Sequence, residues 1–248
     1  MTRGVKFLAI GVLALAATRA AQANTIDVNF GQTGFVHSYT GTGAAPDAGT
    51  FWNDVDQPLL LTTSTVSYGP LNDSLTNPTL VTLSVSATGN GFEGYGGVDG
   101  GYSQTGAPAL MEGVLATTAD ADIATIVINN LSPSLKYDLY IYEDRGDLVH
   151  QSTFTVTDNA GSSQQTSTID NPLTTGFHTP EDYVLFSSLT PNGSNQLQLQ
   201  FQAVPGTTYG ATNGFQLVSV AVPEPSSVAL LVIGTMGMLL LRRRAGVR

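Results

Sequence analysis

The clearest structural pattern in this chain is Gln-Leu-Gln-Leu-Gln-Phe-Gln at residues 196–202. Its apolar residues Leu197, Leu199 and Phe201 alternate with glutamine without a break, and this period of two is typical of a β-strand. A strand with this pattern buries one face against a core and leaves the other face in water, as strands of antiparallel sheets do. The stretch therefore predicts a half-buried strand of an antiparallel sheet.

Similar short runs recur along the chain, separated by clusters of Asn, Gly, Pro and Asp that are typical of turns. The further predicted strands are 26–30, 59–66, 80–86, 123–128, 137–142, 152–157, 183–186 and 215–220. The predicted turns are 129–134, 158–163 and 190–195. Between the two ends of the chain the best helix candidate is 109–116, and it is short. The pattern predicts an all-β fold, an antiparallel two-sheet sandwich, because stacking two sheets buries many one-sided strands at once.

The first 23 residues have the pattern of a secretory signal peptide. Arg3 and Lys6 form a basic start, residues 7–17 form an apolar run, and Ala21-Gln22-Ala23 forms a small-x-small cleavage site. Such a segment is removed during export by signal peptidase and takes no part in the fold. We expect residues 1–23 to be a signal helix and the mature chain to begin at Asn24.

The last 27 residues, 222–248, combine three features in order. Pro223-Glu224-Pro225 comes first, an uncharged apolar run at 228–241 follows, and Arg242, Arg243 and Arg244 come next. A bilayer core usually needs about 20 apolar residues, so we predict a short membrane helix at about 226–241. Short flanks rich in arginine stay on the cytoplasmic side. A plain C-terminal membrane anchor is one interpretation of this tail.

The same three features resemble the PEP-CTERM sorting signal of Gram-negative bacteria. The resemblance implies that an exosortase recognises the tail, with Pro223, Glu224, Pro225 and the three arginines as the signal. It also implies an inner-membrane intermediate, followed by transfer to the cell surface or extracellular matrix. Whether the tail is cleaved or kept as an anchor stays open.

The charge of the chain is concentrated between its two ends. All 19 acidic residues lie between Asp27 and Glu224, and the basic residues there are Lys136 and Arg145, so this segment carries a net charge of −17. Its field repels nucleic acid and anionic lipid. The chain has no cysteine, so an exported domain must rely on a packed core rather than disulfides. Residues 24–221 are of a length that suits one all-β domain.

Several motifs in this region resemble a galactose-binding-like jelly roll, a sandwich found in many secreted bacterial proteins. They are Asp-Val-Asn-Phe-Gly at 27–31, Phe-Trp-Asn at 51–53, Ile-Asn-Asn-Leu-Ser-Pro at 128–133, Tyr-Asp-Leu-Tyr-Ile-Tyr at 137–142 and Asn-Gly-Phe-Gln-Leu at 213–217. The resemblance implies a jelly-roll sandwich that binds carbohydrate or acts as an adhesive module, without a universal binding motif.

Aromatic residues in two long segments are the candidate binding residues. Trp52 lies in the Gly-, Thr- and Ala-rich segment 31–55, and Tyr95 and Tyr102 lie in the glycine-rich segment 88–108. An aromatic ring stacks on the apolar face of a sugar, and binding residues are often placed on loops. For Trp52 a core position is the alternative interpretation.

Pairs of carboxylates are the candidates for a metal or for acid–base chemistry. Asp54 and Asp56 stand two residues apart beside Trp52, Asp120 and Asp122 repeat this spacing, and 143–147 holds three further acids. Calcium takes six to eight oxygen ligands, so a structural calcium at Asp54 and Asp56 is one hypothesis. The other is that all of these carboxylates are solvated turn acids. A secreted carbohydrate-active enzyme that uses an acidic pair is the alternative function.

Other catalytic patterns are weak. The Gly-x-Gly-x-x-Gly run at 89–94 is followed by more glycine rather than the helix that a dinucleotide site needs. No serine lies in a nucleophile elbow, and His37, His150 and His178 are far apart in sequence. We therefore expect no enzymatic activity and no cofactor, but an exported β-sandwich that binds extracellular polysaccharide or forms part of the matrix.

Overall fold

The computed structural model of the chain describes residues 24–32, 39, 41–46, 50–57, 64–95, 110, 113–117, 119, 121–143, 151–167 and 182–220. These residues form fourteen strands. They are β1 Thr25–Gln32, β2 Asn53–Gln57, β3 Val66–Tyr68, β4 Thr82–Ala87, β5 Phe92–Tyr95, β6 Val114–Thr117, β7 Ala124–Asn129, β8 Lys136–Tyr142, β9 Ser152–Asp158, β10 Gly161–Thr166, β11 Tyr183–Leu189, β12 Leu197–Ala203, β13 Ala211–Thr212 and β14 Gly214–Val220.

The strands are arranged in two main sheets and one small sheet. The five-stranded sheet has the order β11-β8-β14-β1-β2, and the six-stranded sheet has the order β10-β9-β12-β7-β4-β3. The small sheet has the order β13-β6-β5. The prediction of an all-β fold with two main sheets is confirmed.

The core lies between the two main sheets. Along β12 the residues Leu197, Leu199 and Phe201 are buried, and the intervening glutamines are half-buried on the opposite face. The same alternation runs along β7 and β8. The period of two in the sequence therefore identifies the core-facing residues of these strands correctly. Burying a side chain such as leucine contributes roughly 1.5–3 kcal/mol, so each of these core-facing positions contributes to the stability of the sandwich.

Three expectations about local structure were wrong. The pair β1–β2 is parallel, in a register that joins Val28 to Asn53, whereas the sequence predicted only antiparallel pairing. The helix candidate 109–116 ends in strand β6, whose four residues are all buried. The predicted turn 158–163 is shorter, because the turn occupies 159–160 and β10 begins at Gly161.

The predicted strand at 59–66 falls mainly outside the described residues; of its described residues 64–66, Val66 lies in a strand. The predicted signal peptide at 1–23 and the sorting tail at 222–248 also lie outside them. In the part of the chain that the structure describes, none of the helices is long and apolar enough to cross a membrane.

Candidate functional site

The outer face of the five-stranded sheet, turned away from the core, carries the candidate site. In β8, Tyr137, Leu139 and Ile141 point into the core. Tyr140 and Tyr142 point to the outer face, because side chains alternate along a strand. Strand register places further outer-face residues beside them: Gln216 pairs with Tyr140, and Tyr183 pairs with Tyr142.

One row of paired residues crosses this whole face. It runs from Tyr183 through Tyr142, Gly214 and Asn29 to Asp54, one residue from each of the five strands. With neighbouring strands about 4.8 Å apart, the row is about 19 Å long. Its aromatic end and its acidic end are therefore well separated, and these two ends have different chemistry.

The segment 41–46 covers the middle of the face. Ala44 N donates to the Tyr142 hydroxyl at 2.6 Å, and Ala45 N donates to Gln216 Oε1 at 3.0 Å. Gly43 permits this close approach, because a Cβ atom there would lie 2.0 Å from Gln216 Oε1. The cover explains why Tyr142 and Gln216 are buried although they point away from the core.

Beneath this cover lies a chain of hydrogen bonds that links three strands. The Tyr142 hydroxyl donates to Gln216 Oε1, and Gln216 Nε2 donates to Asp27 Oδ1 at 3.0 Å. Asp27 is fully buried. Burial raises the pKa of the Tyr142 phenol well above its usual range; the Ala44 N–H opposes this shift, and the charge of Asp27 adds to it. The phenol therefore stays protonated and keeps donating to Gln216.

Five aromatic rings form a continuous row on this side of the sheet, each in contact with the next. Ring centroids are 5.1 Å apart for Tyr39 and Trp52, and 6.0 Å apart for Trp52 and Tyr142. They are 6.0 Å apart for Tyr142 and Tyr183, and 5.8 Å apart for Tyr183 and Tyr140. Tyr39, Tyr140 and Tyr183 are half-buried, so the run ends in rings that reach solvent.

We call Tyr140 and Tyr183 the tyrosine ledge. They lie on the neighbouring strands β8 and β11, against the fully buried Tyr142. Burial raises the pKa of Tyr140, and the charge of Asp138 and the nearby Tyr183 act in the same direction. The ledge offers two adjacent ring surfaces with hydroxyl groups at their rims, which is a surface on which an amphipathic ring can stack.

Trp52, a predicted sugar-binding residue, is a core contact. It is only 4% exposed, and its Nε1 donates to Gly41 O at 3.0 Å. Its ring packs against Tyr142 on one side and Tyr39 on another, so it holds the segment 41–46 in place and offers no face to a ligand. Of the other predicted residues, Tyr95 ends β5 opposite Val114, with its side chain outside the described residues, as all of Tyr102 is.

The predicted calcium ligands lie at the acidic end of the face. Asp54 and Asp56 occupy alternate positions of β2, so both point to the outer side. Asp54 is exposed, and Asn29 Nδ2 donates to its Oδ1 at 3.4 Å. Within the described ranges, no group of three or more acidic or histidine residues gathers as a metal would require. Calcium at this pair stays a prediction.

Two carboxylates that the sequence suggested as solvated turn acids are buried. Glu143 is 3% exposed, and its Oε1 lies 3.0 Å from Ser152 Oγ, while its Oε2 accepts from the Ser167 hydroxyl. Asp122 is also 3% exposed and accepts from Asn90 N at 3.2 Å. These carboxylates join strand ends to one another, which is a structural role.

The glycine-rich run at 89–94 leads into strand β5 and not into a helix. The geometry that a dinucleotide site needs is therefore missing at this position. His37, His150, His178 and the six residues of the sorting signal (Pro223, Glu224, Pro225, Arg242, Arg243 and Arg244) lie outside the described residues.

The tyrosine ledge could be predicted only in part from the sequence. In the predicted strand 137–142, Tyr140 and Tyr142 alternate with Leu139 and Ile141. If Leu139 and Ile141 face the core, the two tyrosines must point to the outer face. Nothing in the sequence indicated that Tyr183, more than forty positions later, lies on the neighbouring strand.

Comparison with known proteins identifies the tail. Residues 221–244 match the PEP-CTERM protein-sorting motif. This motif implies processing by an exosortase, and proteins that carry it are exported and sorted to the cell surface. The expectation of a sorting signal at the C-terminus is confirmed. No curated protein matches the chain.

Two of the solved structures that match have a limited similarity to this chain. One is TmCBM61 in complex with β-1,4-galactotriose, with 9% identity, a TM-score of 0.27 and coverage of 55% of this chain and 83% of that chain. The other is the enzymatically active domain of bacteriophage CBA120 tailspike protein 4, with 13% identity, a TM-score of 0.30 and coverage of 55% of this chain and 18% of that chain. Both similarities are too distant to carry an argument about function.

Proposed function

We propose that the chain is an exported surface or extracellular-matrix protein whose jelly-roll sandwich binds neutral carbohydrate at the tyrosine ledge and performs no catalysis. Signal peptidase and an exosortase are its partners during export. The observation that carries the binding role is the pair of half-buried tyrosines on adjacent strands, with ring centroids 5.8 Å apart, backed by the buried Tyr142.

The ledge suits a ligand that is apolar on one side and polar at its edge. Sugar rings have this character, and tyrosine provides a large rigid contact with a hydroxyl group at its tip. The rings lie on paired strands, and Tyr183 packs against Tyr142, so little conformational freedom is lost when a ligand binds. Pre-organisation of this kind favours affinity, because binding otherwise has to overcome the ordering of mobile side chains.

The charge of the chain favours neutral ligands. The segment that contains the ledge carries a net charge of −17, and Asp138 lies two residues from Tyr140 on the same face. An anionic polymer such as a polyuronate is repelled by this field. A neutral glycan meets no such barrier, so we propose neutral oligosaccharides as the ligand class.

The non-catalytic role is supported by the state of the buried carboxylates. The carboxylates of Asp27 and Glu143 are held by Gln216 and by Ser152 and Ser167 respectively. A carboxylate pair that cleaves glycosides must flank the bond that it cleaves, whereas these two groups lie inside networks that hold the strands together.

The test is a glycan array probed with the exported protein, read at low and at physiological salt. We expect binding to neutral glycans, and no release of reducing ends from the glycans that bind. Absence of binding to every neutral glycan would contradict the proposal, and so would hydrolysis of a bound glycan. Binding confined to anionic glycans would contradict the neutral ligand class.

A further inference from the structure

The edges of the two main sheets differ in how well they are protected. An edge strand exposes unpaired backbone N–H and C=O groups, on which another strand can pair. Natural sheets block such pairing with very short edge strands, charges, proline or bulges. The four edges of this sandwich are β11, β2, β10 and β3.

Three of these edges carry a protective feature. Strand β3 has only three residues and is followed by Gly69 and Pro70. Strand β2 carries the carboxylates of Asp54 and Asp56. Strand β11 has a register shift between Phe186 and Leu189, with Ser188 at a φ of 59°.

Strand β10 has none of these features. Its sequence, Gly-Ser-Ser-Gln-Gln-Thr, contains neither a charge nor a proline, and all six residues pair with β9 in an unbroken register. Five of the six are exposed. The remaining residue, Gln165, donates its Nε2 to Leu185 O of the opposite sheet. The Gln165 side chain therefore anchors the strand to the opposite sheet, and none of the described strands pairs with its outer edge.

The described strand residues on the outer face of the six-stranded sheet carry no charged side chain, and the charged residue nearest along β9 is Asp158, which pairs with Gly161 at the turn. The row Gln164–Thr155–Gln200 crosses β10, β9 and β12 on the outer face of the six-stranded sheet. Among the described residues of this sheet's outer face we find hydroxyl and amide side chains and one valine. They are Ser67, Thr82, Ser84, Ser86, Thr125, Val127, Asn129, Thr153, Thr155, Thr157, Ser162, Gln164, Thr166, Gln198, Gln200 and Gln202.

We propose that β10 pairs antiparallel with β10 of a second copy of this chain across a two-fold axis, which joins two six-stranded sheets into one. A two-fold contact is self-complementary, because the same strand serves both partners. In a register centred on Gln164, Ser162 faces Thr166 of the second copy, Ser163 faces Gln165, and Gln164 faces its own counterpart, so each side chain meets an uncharged polar one. Cross-strand pairs of hydroxyl side chains stabilise such contacts.

The charge distribution favours β10 as the place where two copies of this chain can meet. Each copy carries a net charge of −17 over the segment that contains the sandwich, so two copies repel each other wherever their carboxylates meet. At the β10 edge no ionised side chain lies on the strand itself, and salt screens the remaining field with a Debye length of about 8 Å. If the predicted membrane helix at 226–241 forms, the sorting tail also gathers the chains in one membrane, which raises their local concentration.

The absence of cysteine makes a direct test simple, because Gln164→Cys introduces the only thiol of the full chain. In an antiparallel pair the Cα atoms of facing residues lie about 4.5–5.5 Å apart, within the range of a disulfide. The two thiols that this substitution places on the axis should therefore form a disulfide-linked dimer when membranes containing the full chain are oxidised. A non-reducing gel detects this dimer.

The matched control is Gln200→Cys, the same change in the same row two strands further in. In the paired sheet the two residues at position 200 lie five strand spacings apart, about 24 Å, so they cannot form a disulfide. We expect at least about ten times more dimer from Gln164→Cys than from Gln200→Cys, because a disulfide forms only between closely approaching residues. Mixing Ser162→Cys and Thr166→Cys chains should give the mixed dimer and so report the register.

A charge at the edge gives a second readout. Gln164→Lys, made in the chain without introduced cysteines, places two lysines against each other on the two-fold axis. This variant should shift the chain from dimer to monomer in sedimentation velocity, whereas Gln200→Lys should leave the dimer intact. Equal cross-linking at positions 164 and 200 would overturn the proposal. A monomeric chain without the substitutions, or a dimer that Gln164→Lys leaves unchanged, would overturn it as well.

Discussion

From the buried phenol of Tyr142 we predict how the free energy of unfolding depends on pH. Its hydroxyl accepts from Ala44 N at 2.6 Å and donates to Gln216 Oε1. The substitution Tyr142→Phe removes both hydrogen bonds and leaves the ring in place. With a net value of about 0.5–1.5 kcal/mol for each bond, the variant should lose about 1–3 kcal/mol of unfolding free energy at pH 7.

The pH dependence follows from the raised pKa of this group. Burial raises the pKa of Tyr142 in the folded protein, whereas an unfolded tyrosine titrates near pH 10. Above about pH 10 the unfolded chain releases this proton and the folded chain retains it, so the stability present at lower pH is lost as the pH rises. Each such group contributes a slope of about 1.4 kcal/mol per pH unit. Tyr142→Phe should make the alkaline loss of stability shallower by about this amount.

The measurement is urea unfolding of wild type and variant at a series of pH values between 7 and 11. Thr212→Val is the control, because Thr212 Oγ1 donates to Tyr142 O at 3.0 Å and carries no ionisable group. The control should lose stability uniformly across the series. If Tyr142→Phe keeps the full wild-type slope above pH 10, then Tyr142 is not the buried, protonated phenol that the structure describes.

Three further predictions concern the core, the tail and the acidic end. Leu199→Ala should cost roughly 2–5 kcal/mol, whereas Gln198→Ala should stay within about 0.5 kcal/mol; equal effects in thermal melting would contradict the one-sided strand. Replacing the three arginines at 242–244 with serine should block sorting without unfolding the sandwich, which surface labelling of cells and a melting curve together would test; normal surface yield would contradict it. Millimolar calcium should raise the melting temperature only modestly, with magnesium nearly as effective because both screen charge; a large calcium-selective rise that Asp54→Asn abolishes would instead show a specific site.

The strands that could be predicted are those with one wet and one buried face. The run 196–202 and the runs at 123–128 and 152–157 alternate clearly, and each forms a strand in the structure. Strand β6 was missed because its four residues are all buried, so its sequence shows no alternation. Strand β10 was missed for the opposite reason, since it contains no apolar residue and its Ser, Gly and Gln composition is typical of a turn.

The candidate site depended on pairings that the sequence does not specify. Gln216 and Asp27 are 189 positions apart, yet their side chains share a hydrogen bond. Trp52 was predicted to be either a ligand contact or a core residue, and the segment 41–46 decides this by covering it. The sorting signal, in contrast, was recognisable because its three parts are adjacent in sequence and are read as a linear signal.

The most direct test of the proposed binding role is calorimetric titration of a neutral oligosaccharide, chosen from the glycan array, into the wild-type exported protein and two variants. One variant carries Tyr140→Ser and Tyr183→Ser, and the other carries Tyr209→Ser, a half-buried tyrosine beside the small sheet. Truncating an aromatic anchor costs about 2 kcal/mol or more, which is at least about 30-fold in affinity. We predict this loss for the ledge variant, with wild-type affinity for Tyr209→Ser. Unchanged affinity in the ledge variant would contradict the account.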